Sequence, residues 1–239
     1  LTLEQQEAIS EIDRNLQIIA CAGSGKTEVY LQAIARELES GRGAIVMVPE
    51  IALTPQTVQR FASRFGDKVA VLHSALSDGE RYDEWHRIRS GAARVVVGPR
   101  SAVFAPVQNL GLIVVDEEHE PSYKQEDSPR YNGRDVAVMR AHIEKCRVVL
   151  GTATPSLESW RNVKTGKYAC AKLEQRVLGR SMPPVCIVDM RLEKARTGKV
   201  PVFSEALLEA MQLPPRLSVS GLCEVLSTMT CAEQLSEFL

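Results

Sequence analysis

Lys26 and Thr27 close the run Ala20-Cys21-Ala22-Gly23-Ser24-Gly25-Lys26-Thr27, which lies between a short apolar stretch and a helical pattern. An amine and a hydroxyl placed there suit one kind of chemistry. The amine reaches the outer phosphates of a nucleoside triphosphate, and the hydroxyl holds Mg2+. Gly23 and Gly25 let backbone N–H groups approach a phosphate with no Cβ in the way. A helix starting at the loop adds positive potential. The first slot of the usual phosphate-loop pattern holds Ala20 rather than Gly, a mild departure. Gly-Ser-Gly-Lys-Thr also occurs in ordinary glycine-rich turns, and it is the strand–loop–helix setting that favours phosphate.

A second chemical cluster is Asp116-Glu117-Glu118-His119, at the end of the apolar run Leu112-Ile113-Val114-Val115. A carboxylate at the carboxyl end of a buried strand can hold the shell of Mg2+, which assigns Asp116 to the metal with Thr27. Its neighbour Glu117 can orient and deprotonate an attacking water. Taken alone, the same residues would make a solvated acidic turn. A third cluster ends the run Val148-Val149-Leu150-Gly151: the hydroxyls of Thr152 and Thr154 flank Ala153 before Pro155. These hydroxyls are expected to bond the carboxylates of Glu117 or Glu118 and report the nucleotide state, with His119 as a link. The bland alternative is a Thr-rich turn stopped by proline.

Elements that would position these groups follow from periodicity. Apolar runs predict strands at 16–20, 44–48, 69–72, 94–97, 112–115 and 147–151, with a further one at 185–188 after Pro183-Pro184. Helical spacing predicts helices at 28–39, 54–65, 78–90, 134–144 and 156–164, and Thr2 is a candidate N-cap for one opening the chain. Such alternation predicts an α/β fold, a parallel sheet with helices on both faces and ligands at the carboxyl ends of the strands.

The three clusters in this order resemble motifs I, II and III of superfamily 2 helicases. Within that superfamily the chain resembles the PriA family of replication-restart DNA helicases. The matching segments are Val48-Pro49-Glu50-Ile51-Ala52-Leu53-Thr54-Pro55-Gln56, Leu72 to Ser77, Gly98-Pro99-Arg100-Ser101-Ala102, Asp116 through Arg134, and Gly151 to Ser159. The resemblance covers roughly residues 1–210 and implies a P-loop RecA-like ATP-binding domain. It implies ATP and Mg2+ as cofactors, 3′–5′ DNA helicase activity, and single-stranded or forked DNA as partner. Primosome proteins and single-stranded-DNA-binding protein are further partners it implies. Gln5 matches the position that reads the adenine edge in such helicases, although a surface Gln on an amphipathic helix reads the same way. Pro49, Glu50, Arg100 and Ser101 are expected along the DNA track. Residues 16–22 look more like motif I of superfamily 1 translocases, so that alternative stays open, as does a nucleotide-binding fragment without turnover.

The segment Glu120 to Gly133 is a long polar connection, a length often tied to function. Tyr123 and Tyr131 could stack on bases, and Lys124 and Arg130 could meet phosphates. The alternative is a surface loop whose tyrosines pack back. The resemblance favours a loop that couples DNA binding to hydrolysis.

With 239 residues, 44% hydrophobic and 25% charged, one sizeable domain plus a tail is expected. Residues 1–180 are assigned to the ATP-binding domain, 181–211 to the start of a second RecA-like domain, and 212–239 to an atypical tail. From about Met211 the sequence departs from the family, the pattern of a truncated or frame-shifted gene. In isolation such a chain is expected to bind ATP weakly, to hydrolyse it slowly if at all, and not to unwind duplex. Net charge is -1, so contact with DNA calls for a local basic patch. Arg81, Arg87, Arg89, Arg94 and Arg100 are candidates, the first three better read as a solvated helix face. No apolar stretch approaches the roughly 18 residues of a membrane span, and no signal-peptide pattern opens the chain, so no membrane and a cytoplasmic location are expected. The six cysteines include no Cys-x-x-Cys pair, so zinc is not expected and mostly buried reduced thiols are.

Overall fold

Val95–Gly98, Leu110–Asp116 and Arg147–Thr152 are nearly uninterrupted runs of apolar residues, and each is buried on both faces. Such strands need helices above and below. The computed structural model describes residues 1–13, 15–21, 23–174, 187–191 and 203–212. The chain divides into two units, Leu1–Ser181 and Met182–Leu239.

In the first unit the order is α1 (Leu3–Ser10), β1 (Leu16–Ala20), α2 (Lys26–Glu39), β2 (Gly43–Met47), α3 (Pro55–Phe65), β3 (Val69–Val71), α4 (Asp78–Arg89), β4 (Val95–Gly98) and β5 (Leu110–Asp116). There follow β6 (Lys124–Gln125), β7 (Tyr131–Asn132), α5 (Gly133–Glu144), β8 (Arg147–Thr152), α6 (Leu157–Lys164) and β9 (Ala169–Leu173). Seven strands form one sheet in the order β3-β4-β2-β5-β8-β1-β9. Every pairing in it is parallel. All seven carboxyl ends therefore share one edge, and the phosphate loop, Pro49, Gly98, Asp116 and Thr152 are gathered there. One core lies between the sheet and α1, α2 and α3, with Tyr30, Ile34 and Phe61 at its centre. The other includes Ile88 of α4 and Ala137 and Ala141 of α5.

Local signals set the helix starts. Thr2 and Gln5 form a capping box at α1, and Ser77 and Glu80 another at α4. Thr54 caps α3, with Pro55 at its first position. The expected elements are all present in this unit to within two residues at most boundaries. Two additions escaped the pattern. Edge strand β9 reads Ala-Cys-Ala-Lys-Leu, too weak an apolar signal for a strand, and β6–β7 is a two-residue antiparallel pair inside the supposed loop. The expectation of mostly buried thiols fails for the described cysteines: Cys170, on edge strand β9, is exposed, and Cys21 and Cys146, in loops at the strand ends, are half-buried.

The second unit's described residues comprise 187–191, where Arg191 pairs with Asp189, and helix α7 (Glu205–Gln212). The expected strand at 185–188 and the tail at 212–239 fall largely outside the described residues. Among the described residues no helix is long and apolar enough to cross a membrane.

Candidate active site

Gly25 caps the amino end of α2 with φ +84°, a left-handed conformation that suits a residue without Cβ. That turn aims the first N–H groups of α2 out of the carboxyl edge of the sheet. Ser24 is buried, and its hydroxyl donates to the Cys21 carbonyl at 2.7 Å, which tightens the loop. Ala20 closes β1, buried, and Ala22 lies outside the described residues. Gln5 is buried too. Its amide donates to the Ser24 carbonyl at 3.1 Å, while its oxygen accepts from the Thr2 N–H at 2.9 Å. It thus braces the loop from α1.

Lys26 Nζ donates to Glu117 and lies 3.7 Å from Asp116 Oδ1. The sequence-assigned amine and both carboxylates are therefore brought together. Tyr30, one turn into α2, donates its hydroxyl to Asp116 Oδ1 at 2.9 Å. Burial, with Asp116 second, raises the Tyr30 phenol well above its ordinary range, so it stays a donor. Burial also raises Asp116, against the opposing pull of Lys26, and Glu117 adds to the rise. Glu117 itself has φ +47°, a backbone conformation uncommon for a residue with a Cβ and often found at functional sites. Thr27 lines the cavity of about 640 Å3 in front of the loop, with Gly23, Gly25 and Lys26. One carboxylate, one hydroxyl and phosphate oxygens make the hard oxygen donor set that Mg2+ takes in nucleotide sites. Asp116 and Thr27 fit that set.

The remaining two residues of the acidic cluster part company. His119 Nδ1 lies 2.6 Å from the Thr152 hydroxyl and 3.7 Å from Glu117 Oε2. Thr152 Oγ1 in turn accepts from the Thr154 N–H at 3.0 Å. Among the described residues neither Glu117 nor Glu118 bonds the threonine hydroxyls, contrary to expectation: His119 stands between Thr152 and Glu117, and Glu118 turns elsewhere. Its side chain is fully buried and accepts from the Ser156 N–H at 2.8 Å, the Ser156 and Ser159 hydroxyls at 3.0 Å each, and Arg134 at 3.2 Å. The strand ends at Asp116, and the left-handed backbone at Glu117 turns Glu118 toward the amino end of α6. Arg134, missed from sequence, is the cation that balances it. An Arg in the first turn of a helix right after the long loop was the available signal.

The DNA assignments fare unevenly. Tyr123 is a correction: it is 1% exposed, packed in the second core, and donates its hydroxyl to the Asp116 carbonyl at 2.7 Å. The apolar ring finds room under the sheet edge, so it cannot present a face to a base. Arg100 spends its guanidinium on the Ser122 and Lys124 carbonyls, at 3.1 and 2.7 Å, and sits 5.6 Å from the Tyr131 ring centre. Tyr131 also packs edge-on to Phe104, at 5.3 Å. Lys124 is exposed beside Glu126, at 3.4 Å, and Arg130 donates to the Glu126 carbonyl at 2.9 Å. Glu50 accepts from Ser74 next to Pro49, and Ser101 is exposed. Arg87 is structural: it donates to the Asp67 and Val69 carbonyls.

The chain is similar in sequence and fold to known proteins. The profile of the DEAD/DEAH box helicase family matches residues 2–163. Over 220 residues the chain is 51% identical to the replication restart protein PriA of Bacillus subtilis (strain 168), covering 89% of this chain and 27% of that protein. The chain thus spans about a quarter of the length of that curated relative. Among solved structures, RecG bound to a three-way DNA junction aligns with TM-score 0.53 and 26% identity, over 76% of this chain and 25% of RecG. The helicase domain of Pyrococcus furiosus Hef aligns with TM-score 0.53 at 19% identity, over 73% of this chain and 38% of that domain's chain, and shows the shared RecA-like fold.

Proposed function

The chain belongs to the DEAD/DEAH box helicase family, and from that premise we propose that it is the ATP-binding part of a replication-restart DNA helicase. In this reading ATP hydrolysis is coupled to single-stranded or forked DNA, with primosome proteins and single-stranded-DNA-binding protein as partners of the whole. The convergence of Lys26, Asp116 and Glu117 at one strand edge carries the reading. Lys26 pairs with both carboxylates. A bound triphosphate would compete for the ammonium and free Glu117 to take a proton from the attacking water. Asp116 and Thr27 would hold Mg2+, which would supply charge neutralisation at the phosphates. Tyr30 holds Asp116 in place by its hydrogen bond, and His119 with Thr152 joins β5 to β8 beside Glu117. Loop residues Lys124 and Arg130 are exposed and Tyr131 half-buried, which leaves them within reach of nucleic acid, while Tyr123 ties the same loop to Asp116.

These 239 residues assayed alone are expected to bind ATP and not to unwind duplex. The test is ATPase rate with and without single-stranded DNA, beside a Lys26→Ala control. Turnover that depends on Lys26 and rises with DNA supports coupling inside this one domain. Robust strand displacement by this chain would overturn the expectation that it cannot unwind, and DNA-independent turnover in the Lys26→Ala variant would overturn the site.

A further inference from the structure

The cavity in front of the phosphate loop has a second wall that the chemistry above leaves unused. Arg60, Ser63 and Arg64 of α3 line it together with Lys26 and Thr27. Spacings of three and four put these three side chains on one helical face. Phe61 pins the helix to the core from another. Arg60 and Arg64 are exposed, and neither side chain has a hydrogen bond or ion pair among the described residues.

Other arginines of the fold are committed. Arg87, Arg134, Arg140 and Arg147 all donate to carbonyls or carboxylates. Like charges one turn apart on a helix repel, so an unpaired pair facing a cavity is a standing cost that a bound anion would remove. The cavity's one carboxylate on α2, Glu28, accepts from Gln32 at 2.7 Å rather than from either arginine. A cavity of about 640 Å3 is large enough for a nucleotide. Guanidinium forks match phosphate oxygens in pairs.

We propose that Arg60 and Arg64 are nucleotide-binding residues that grip phosphate charge from α3, so that the cavity ranks nucleoside polyphosphates by their phosphate number. The inference rests on the phosphate-loop reading and adds a binding wall to it. The phosphate loop alone would discriminate among ligands through Lys26 and backbone N–H groups. Two further cations add attraction for each phosphate beyond the first.

Equilibrium titrations of ATP, ADP, AMP and inorganic tripolyphosphate in Mg2+ buffer test this with the whole chain. The proteins are wild type, Arg60→Ala/Arg64→Ala, Arg60→Lys/Arg64→Lys and Lys26→Ala. Both arginines are exposed, so an unchanged unfolding midpoint is expected for the double alanine variant; Arg60→Gln and Arg64→Gln single variants serve if it is not. The double alanine variant should lose at least about tenfold in affinity for ATP and tripolyphosphate, equivalent to about 1.4 kcal/mol. It should lose less for ADP and keep its affinity for AMP, and the lysine variant should recover part of the loss. Wild-type affinity for ATP in the alanine variant would overturn the proposal. So would a loss for ATP with tripolyphosphate unchanged, which would mean stacking on the base. If wild type bound none of the four ligands, the phosphate-loop reading itself would fall, a result distinct from either.

Discussion

Two buried carboxylates sit at opposite edges of the same sheet. At the amino edge, the Glu37 side chain is 3% exposed and accepts from Arg42 and Arg147, the latter at 2.8 Å. At the carboxyl edge, Glu118 has one described cation, Arg134, and three further donors from Ser156 and Ser159. Each edge needs a glycine to make room. A Cβ at Gly111 would strike the Glu37 carboxylate, and one at Gly151 would strike the Tyr30 hydroxyl. As buried ion pairs the two are alike. What separates them is connection. The Glu37 cluster ties the end of α2 to the starts of β2 and β8. The donors to Glu118 belong to segments that also carry the site: Ser156 follows Thr154, Arg134 follows the long loop, and Glu118 itself follows Glu117. A buried carboxylate paired with arginine thus says little about function by itself. Its place at the ligand-binding edge of a parallel sheet says much more.

The largest effect should come from removing a partner. Arg134→Ala leaves Glu118 buried without its cation and should cost about 3–5 kcal/mol. Arg42→Ala leaves Glu37 with Arg147, and should cost about 1.5–3 kcal/mol, the worth of one charge-assisted hydrogen bond. Urea unfolding of both variants measures the difference; equal costs would erase the distinction between the edges. The glycines sharpen it next. Gly151→Ala and Gly111→Ala should each destabilise by about 1–3 kcal/mol through overpacking. Only Gly151→Ala should weaken Mg2+-nucleotide binding, because it displaces Tyr30 from Asp116. A matching loss of nucleotide affinity in Gly111→Ala would contradict the division.

The carboxyl edge was the more legible of the two. Lys26, Asp116 and Glu117 stand at strand ends, and a strand end followed by a reactive residue is visible as a pattern. The parallel sheet follows from the alternation of apolar runs and helical spacings. Glu37 and Arg147 are 110 positions apart, and nothing local announces their pairing. Tyr123 misled for a related reason. An aromatic in a polar segment reads as exposed until the pocket that receives it is known. Edge strand β9 was missed because it carries few β-branched or aromatic residues, its place being set by pairing with β1.

The smallest effects concern the thiols that mark the two edges. Cys146 precedes β8 at the amino edge, and burial, with help from Glu144, pushes its thiol up to about 11. A thiol raised above its ordinary 9.0 binds its proton more tightly in the folded chain. Its contribution to stability is therefore intact below pH 9 and lost as pH climbs toward 11. At pH 8 its alkylation should be about tenfold slower than that of a free thiol, since a lower thiolate fraction outweighs the gain in nucleophilicity. Mg2+-ATP should slow alkylation of Cys21, in the phosphate loop, and leave Cys146 untouched. Mass-spectrometric labelling with and without nucleotide reads both sites at once, and protection of Cys146 would place the ligand at the wrong edge.

The most direct measurement is a titration of a fluorescent ATP analogue, with Mg2+, into wild type and the Lys26→Ala variant. Saturable binding to wild type that weakens by about tenfold or more in Lys26→Ala is expected if the phosphate loop is the nucleotide site. Equal affinity in the two proteins would contradict the assignment of the carboxyl edge as the place where nucleotide is held.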